Sequence, residues 1–176
     1  MIRRAVPDDV DALVGLQTRS WRHAYADYVD PDAMPEPAQR AARWREMLGA
    51  DGAVFVWEQD GSVAGFVVSG PDRGEEAQTG EIYAIAVEPA AQGAGLGNTL
   101  LAHAVEQLAR AGFARALLWC LEANGLARAF YERRGWAQDD GRRQHAWGPE
   151  VRYRRDLSPP ALEPGTEPPG GETPWA

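Results

Sequence analysis

The stretch GEIYAIAVEPAAQGAGLGNTLLAHAVEQLARAG, residues Gly80 to Gly112, decides the fold, because an apolar run, a glycine turn and a helix follow one another in an order that has a chemical use. Ile82 to Val87 is aliphatic and β-branched, as a mostly buried strand should be. Gln92-Gly93-Ala94-Gly95-Leu96-Gly97 reads as the turn, and Leu96, Leu100, Leu101, Ala104, Val105 and Leu108 then recur at helical spacing until Gly112 can cap the end. A helix that starts beside glycines presents free N–H groups at the positive end of its dipole. Such a start suits a phosphate or pyrophosphate and needs no cationic side chain.

Two phosphate binders are tested first. The turn has no Gly-Lys-Ser/Thr, which excludes a P-loop. A dinucleotide fingerprint needs G-x-G-x-x-G, whereas Gly93, Gly95 and Gly97 alternate and Asn98 stands where the last glycine belongs.

Working outward, Ala53 to Glu58 and Val63 to Ser69 flank Gln59-Asp60-Gly61 and predict a β-hairpin ahead of the central strand. Before it, Arg3 to Val6 reads as a short strand, Pro7-Asp8-Asp9 opens a helix with Val10, Leu13, Val14 and Leu16 as its stripe, and Pro35 to Leu48 is a second helix. Trp21, Tyr25 and Tyr28 gather near His23, either as core or as the wall of a pocket for a small ligand. The loop Gly70 to Gly80 reads as a solvated connection, or more sharply as an acidic lip made of Asp72, Glu75 and Glu76. After the glycine-turn helix, Ala114 to Leu121 predicts a parallel strand reached by a right-handed crossover. Asn124 is a natural N-cap for a helix from Gly125 to Arg134 that Gly135 stops, with Arg133 and Arg134 against the negative end of its dipole. Trp136 and Val151 to Leu157 supply two last strands.

The chain has 176 residues, 44% hydrophobic and 25% charged, which predicts one globular domain over 1–157. Residues 158–176 are dense in proline, glycine and glutamate and read as a disordered tail. A formal charge of −8 argues against a nucleic-acid partner. The absence of a long apolar run or signal-like start leads us to expect a cytoplasmic protein with no membrane partner. The single cysteine, Cys120, excludes an intramolecular disulfide and a cysteine-based zinc site and reads as a buried structural thiol; no metal is expected.

The pattern Q-x-x-G-x-G, placed after I-A-V-E-P, resembles the acyl-CoA-binding motif of the GNAT superfamily of N-acetyltransferases. A second block, Asn124-Gly-Leu-Ala-Arg-Ala-Phe130-Tyr131-Glu-Arg-Arg-Gly135-Trp136, is similar to the family's N-x-x-A-x-x-F-Y-x-x-x-G-F/W segment. The resemblance covers Ile2 to about Leu157 and implies an α/β fold: a mixed, mostly antiparallel sheet with a central strand, glycine turn, helix and strand crossover, and helices on both faces. It implies an acetyl-CoA-dependent N-acetyltransferase. The amides of Gly93, Ala94, Gly95, Leu96, Gly97 and Asn98 would hold the CoA pyrophosphate, with Gln92 at the entry. The pantetheine arm would lie along Ile85, Ala86 and Val87, where a break in pairing can aim one N–H at the thioester oxygen. Asn124 would orient the arm, and Tyr131, two helical turns further on, would protonate the departing thiolate.

Ordinary values near 10 for tyrosine and about 8.5 for a thiol make that transfer uphill by roughly 2 kcal/mol unless desolvation raises the thiol. An attacking amine of pKa about 10.4 is neutral in only about one molecule in a thousand at pH 7, so a base or a water relay is wanted. Glu81 occupies a position where several family members keep a base, and it would need burial or an intervening water to serve. His23 is a weaker candidate, and His103 and His145 are expected on a helix surface and in a loop. The ribosomal-protein acetyltransferases of the family tend to carry E-V-R-x-S-N where this chain has Trp119-Cys120-Leu121-Glu122-Ala123-Asn124. That departure favours a small-molecule amine, contacted by Trp21, Tyr25, Tyr28 and His23, over a protein N-terminus or lysine. A non-catalytic acyl-CoA-binding module is the alternative, and the aromatic content is compatible with a homodimer.

Overall fold

The computed structural model describes residues 1–25, 30, 34–49, 53–74 and 76–157; Tyr28, Glu75 and the tail from 158 to 176 lie outside the described residues. The elements are β1 (Ile2–Arg4), α1 (Val10–Tyr25), α2 (Pro37–Gly49), β2 (Ala53–Gln59), β3 (Ser62–Pro71), β4 (Thr79–Val87), α3 (Leu96–Arg110), β5 (Arg115–Leu121), α4 (Gly125–Glu132), β6 (Ala137–His145) and β7 (Gly148–Asp156). They build one seven-stranded sheet in the order β1-β2-β3-β4-β5-β7-β6. The neighbours β4 and β5 are parallel, joined by the crossover through α3, and every other pair is antiparallel. This is the mixed α/β fold with helices on both faces.

Alternation along the strands sends side chains to two separate cores. On one face α3 and α4 bury Leu100, Leu101, Leu108 and Tyr131 against Phe55, Val67, Ile82, Leu118 and Tyr153. On the other, α1 and α2 bury Leu13, Leu16 and Trp44 against Val54, Val56, Phe66 and Val68. Each fully buried leucine stabilises the fold by about 2 kcal/mol. The helix α3 approaches β4 so closely that a Cβ on Gly80 would stand 2.6 Å from Leu108 Cδ2, so this strand position needs glycine.

The start of α1 is fixed by Asp9. Its carboxylate accepts the Val6 amide at 2.8 Å and both terminal nitrogens of Arg3, at 2.7 and 2.9 Å, and this guanidinium holds the carboxyl below the usual carboxylate range.

Three expectations change. His145 is the last residue of β6 rather than part of a loop, because it pairs with Gly148 across the β6–β7 turn. The segment AQDDGRRQH forms the whole of β6, a polar strand with no apolar alternation to announce it. His103 is half-buried rather than on a helix surface, because its ring meets Phe55 edge-on at 4.4 Å between α3 and the sheet.

Candidate active site

The strands β4 and β5 pair only from Thr79 to Ile82, opposite Arg115 to Leu118. Beyond that point β4 runs on to Val87 and β5 to Leu121 without facing each other, while β5 keeps its ladder with β7 through Leu121. The local cause lies on the other edge of β4: its pairing with β3 steps from Ser69–Ile82 to Val68–Ala84, so Tyr83 is an extra residue. Such a bulge bends and twists its strand. The result is a split in the middle of the sheet, with the edge of Ile85, Ala86 and Val87 open toward β5.

At the far end of β4 the turn takes the conformation its glycines allow. Gly93 and Gly95 have φ of 84° and 85°, and α3 starts at Leu96. Among the described residues the amides from Gly93 to Asn98 donate to no protein acceptor; the first amide to do so is that of Thr99, to Gly95 O at 3.1 Å. Gln92 to Gly95 is exposed, as is Asn98. The free amides and the α3 dipole therefore converge on solvent at one point. Arg134 adds a cation there. Its Nε donates to Asn98 Oδ1 at 2.9 Å, its Nη1 to Phe130 O at 2.8 Å, and its guanidinium lies 3.8 Å above the Phe130 ring.

Beside the turn stands α4, whose Phe130 would lie 3.5 Å from a Cβ on Gly97. Asn124 caps it, its Oδ1 accepting the Ala127 amide at 3.0 Å. Tyr131 is buried against Phe130, Trp136 and Tyr153, with ring centroids 5.3, 6.4 and 6.0 Å away. Burial raises its hydroxyl well above the usual phenol range, and the nearby Cys120 and Tyr25 push the same way. The Cys120 thiol is pushed up to about 12, chiefly by burial. Desolvation on this face thus disfavours any thiolate.

On the opposite face, beside the split, lies a cavity of about 270 Å³. Glu81 of β4 and Leu117 and Trp119 of β5 form part of its lining, the 70–80 loop contributes Asp72, Arg73 and Glu76, and β6 and β7 contribute Arg143 and Arg152. Glu81 is buried, and Arg73 closes over it: the Arg73 amide and Nε donate to Oε2 at 3.2 and 3.0 Å, Nη2 donates to Oε1, and the guanidinium stacks on Tyr83 at 4.4 Å. The loop is shaped by Asp72, which accepts the amides of Gly74 and Glu76 at 3.0 and 2.9 Å, and is tied to β7 by the paired contacts of Glu76 with Arg154 at 2.7 and 2.6 Å. It is a lip of the cavity rather than a solvated connection. Near the end of α1, Trp21 and Tyr25 meet Trp147 of the β6–β7 turn at 4.3 and 5.7 Å, and His145 meets the same indole at 5.1 Å.

The acetyltransferase (GNAT) family model matches residues 13–136. The chain belongs to this GNAT family. It is 32% identical over 149 residues to the mycothiol acetyltransferase of Salinispora arenicola, which covers 84% of this chain and 45% of that protein. It is 31% identical over 145 residues to the mycothiol acetyltransferase of Amycolatopsis mediterranei, covering 79% of this chain and 46% of that protein. The chain thus spans under half the length of these relatives. Among solved structures, the ribosomal-protein-alanine N-acetyltransferase of Brucella melitensis superposes with a TM-score of 0.72 at 21% identity, covering 89% of this chain and 99% of the other. The PaiA N-acetyltransferase of Thermoplasma acidophilum, solved with coenzyme A, superposes with a TM-score of 0.66 at 18% identity, covering 89% and 98%.

Within this GNAT fold Glu81 lines the cavity, and the other expected residues fall into three groups. Gln92 to Asn98 and the open edge of Ile85 to Val87 lie along one path at the end of β4, and Asn124 and Tyr131 lie on α4 beside it. Trp21 and Tyr25 share one face of α1, four residues apart, and close on Trp147; His23, between them in sequence, is exposed and joins none of these ring contacts. Tyr28 lies outside the described residues. Arg73, Arg134, Arg143, Arg152 and Trp147 were not foreseen as site residues. Arg134 alone carried a signal, being basic in the segment that follows Tyr131; Arg143 and Arg152 reach the site through strand register, Arg73 through the 70–80 loop and Trp147 through the β6–β7 turn. Among the described residues no group of three or more His, Cys, Asp or Glu is placed to hold a metal ion, and no helix is long and apolar enough to cross a membrane.

Proposed function

We propose that this chain transfers the acetyl group of acetyl-CoA to a primary amine of a small molecule by direct attack in a ternary complex. The carrying observation is the split after Ile82 and Leu118, since it joins a free-amide turn on one side of the sheet to a cavity lined by charged residues on the other. The CoA pyrophosphate takes the amides from Gly93 to Asn98, with Gln92 and Arg134 beside it. The pantetheine arm completes the unpaired edge of Ile85 to Val87, and an amide of that edge stabilises the oxyanion formed on attack. Asn124, whose Oδ1 is committed to capping α4 and whose backbone amide donates to Leu121 O, offers its side-chain Nδ2 to the arm.

Tyr131 gives its proton to the leaving thiolate. Its raised pKa keeps it protonated, and the desolvation that pushes Cys120 up to about 12 would raise a CoA thiol in the same surroundings alongside it, so donor and acceptor rise together and the transfer stays modestly uphill. Cys120 itself is too weakly ionised to carry an acyl group. On the cavity side Glu81 is the base. Arg73 covers its carboxylate, so the proton reaches Glu81 through a water, or once the amine has displaced the guanidinium. A small acceptor is supported by the similarity to mycothiol acetyltransferases and by a cavity just below the roughly 300 to 1,000 Å³ of drug-sized sites.

The test is release of free CoA thiol, with mass detection of the acetylated product, across a panel of small amines, peptides and protein N-termini. Turnover confined to small amines supports the proposal. Turnover of peptides only moves the acceptor to protein, and calorimetric CoA binding with no turnover at all makes the chain a binding module.

A further inference from the structure

The charged lining of the cavity has two sources. Asp72, Arg73, Glu76 and Glu81 come from the 70–80 loop and β4, with Arg73 spent on Glu81, whereas Arg143 and Arg152 come from β6 and β7. Both of these arginines are stacked against one indole: the guanidinium carbons of Arg143 and Arg152 stand 4.4 and 5.7 Å from the Trp119 ring centroid. Each is anchored through Nε alone. Arg143 Nε donates to Glu150 Oε2 at 2.5 Å, and Arg152 Nε to the two oxygens of Asp139 at 2.9 and 3.0 Å. Among the described residues, none of the terminal nitrogens of either side chain has a protein acceptor.

This arrangement differs from a cross-strand ion pair that merely neutralises a sheet face. Where Arg154 meets Glu76, both terminal nitrogens are consumed by the carboxylate, at 2.7 and 2.6 Å. At Arg143 and Arg152 the carboxylates instead take the inner nitrogen, fix the stack on Trp119, and leave the outer forks unspent beside the cavity. A planar fork whose rotamer is already held binds an oxyanion with little further ordering. The position also fits the path of the reaction, because Trp119 is the first β5 residue beyond the split.

We propose that the acceptor is a zwitterion: a small molecule whose amine faces Glu81 and the split, and whose other end carries a carboxylate or phosphate bound by Arg143 and Arg152 over Trp119. This deepens the acetyl-transfer reading of the cavity and rests on it. A diamine or an uncharged amide would leave the two forks unpaired and bring nothing to them.

The experiment compares primary amines of one chain length ending in a carboxylate, a phosphate, a neutral amide or a second amine, at saturating acetyl-CoA. The carboxylate- or phosphate-ended members are expected to show kcat/KM at least tenfold above the amide, and the ratio between those two tells which oxyanion fits. In Arg143→Gln and Arg152→Gln that advantage collapses through KM with kcat nearly unchanged, while Arg143→Lys restores part of it. The amide-ended amine should respond to none of these changes. CoA affinity by calorimetry checks that the variants remain folded. Binding of the amine-free carboxylate, followed by its quenching of tryptophan fluorescence, gives a readout independent of turnover and should be lost in both Gln variants. Quenching without turnover of any amine would overturn the acetyl-transfer reading and leave the anion fork standing. Equal kcat/KM across the end groups, an equal loss of all substrates in the Gln variants, or no quenching by the carboxylate would overturn the zwitterion assignment.

Discussion

The two sides of the β4–β5 split are built in opposite ways. The side that ends in the glycine turn works with backbone: the amides from Gly93 to Asn98 are left free by φ values of 84° and 85° at Gly93 and Gly95 and by the start of α3. The cavity side works with side chains from the 70–80 loop, β4, β5, β6 and β7, engaged in pairs such as Arg73–Glu81, Arg143–Glu150 and Arg152–Asp139. A backbone site recognises a feature common to every turnover, whereas a side-chain site can be altered one residue at a time. On the proposed assignment of the two sides, cofactor and acceptor recognition should be separable, and substitutions on either side should show it.

The largest effect is expected where the two sides meet. Tyr131→Phe should lower kcat by about 100- to 1,000-fold, within the range for loss of a general acid, with CoA affinity nearly unchanged. An equal loss of both would make Tyr131 a packing residue. The same residue sets the form of the pH profile. Because its phenol is raised, it stays protonated as pH rises, so kcat/KM should climb as the acceptor amine loses its proton and show no fall from Tyr131 up to about pH 10.

On the backbone side, Gly95→Val should weaken CoA binding about tenfold by calorimetry. A β-branched residue at φ 85° forces the turn to another conformation, although a Cβ there meets nothing within 4 Å. Arg134→Ala should weaken CoA about three- to fivefold and flatten the salt dependence of binding, since one cation leaves the phosphate site. Neither change should alter the ranking of acceptor amines, and a changed ranking would break the separation of the two sides. Smallest of all is Cys120→Ala, expected to change kcat by less than about twofold, because a thiol pushed up to about 12 carries no acyl group. Abolished turnover in a folded variant that still binds CoA would mean an acyl-cysteine route.

The same contrast explains what was legible beforehand. The cofactor side is contiguous, so strand, glycine turn, helix and the Asn124 to Trp136 block could be read in order. The hairpin announced itself through Asp60-Gly61, whose φ values of 52° and 74° are those its turn requires. The cavity could be read only in fragments. Glu81, Trp119 and the acidic lip were visible as residues, but of the arginines that pair or stack with them only Arg73 is near in sequence, while Arg143, Arg152 and Arg154 lie far off in the chain. β6 has no alternating apolar face, so neither its span nor the register that carries Arg143 to Trp119 had a signal. The break in β4 was anticipated near Ile85 to Val87 and falls at Tyr83, because a bulge depends on how two strands pair and not on the composition of one.

The central claim, that cofactor and acceptor occupy the two sides of one split at the same time, is tested most directly by initial velocities over a grid of acetyl-CoA and amine concentrations. Direct attack in a ternary complex predicts reciprocal plots that intersect. Parallel lines, the signature of an acyl-enzyme formed before the amine binds, would contradict it.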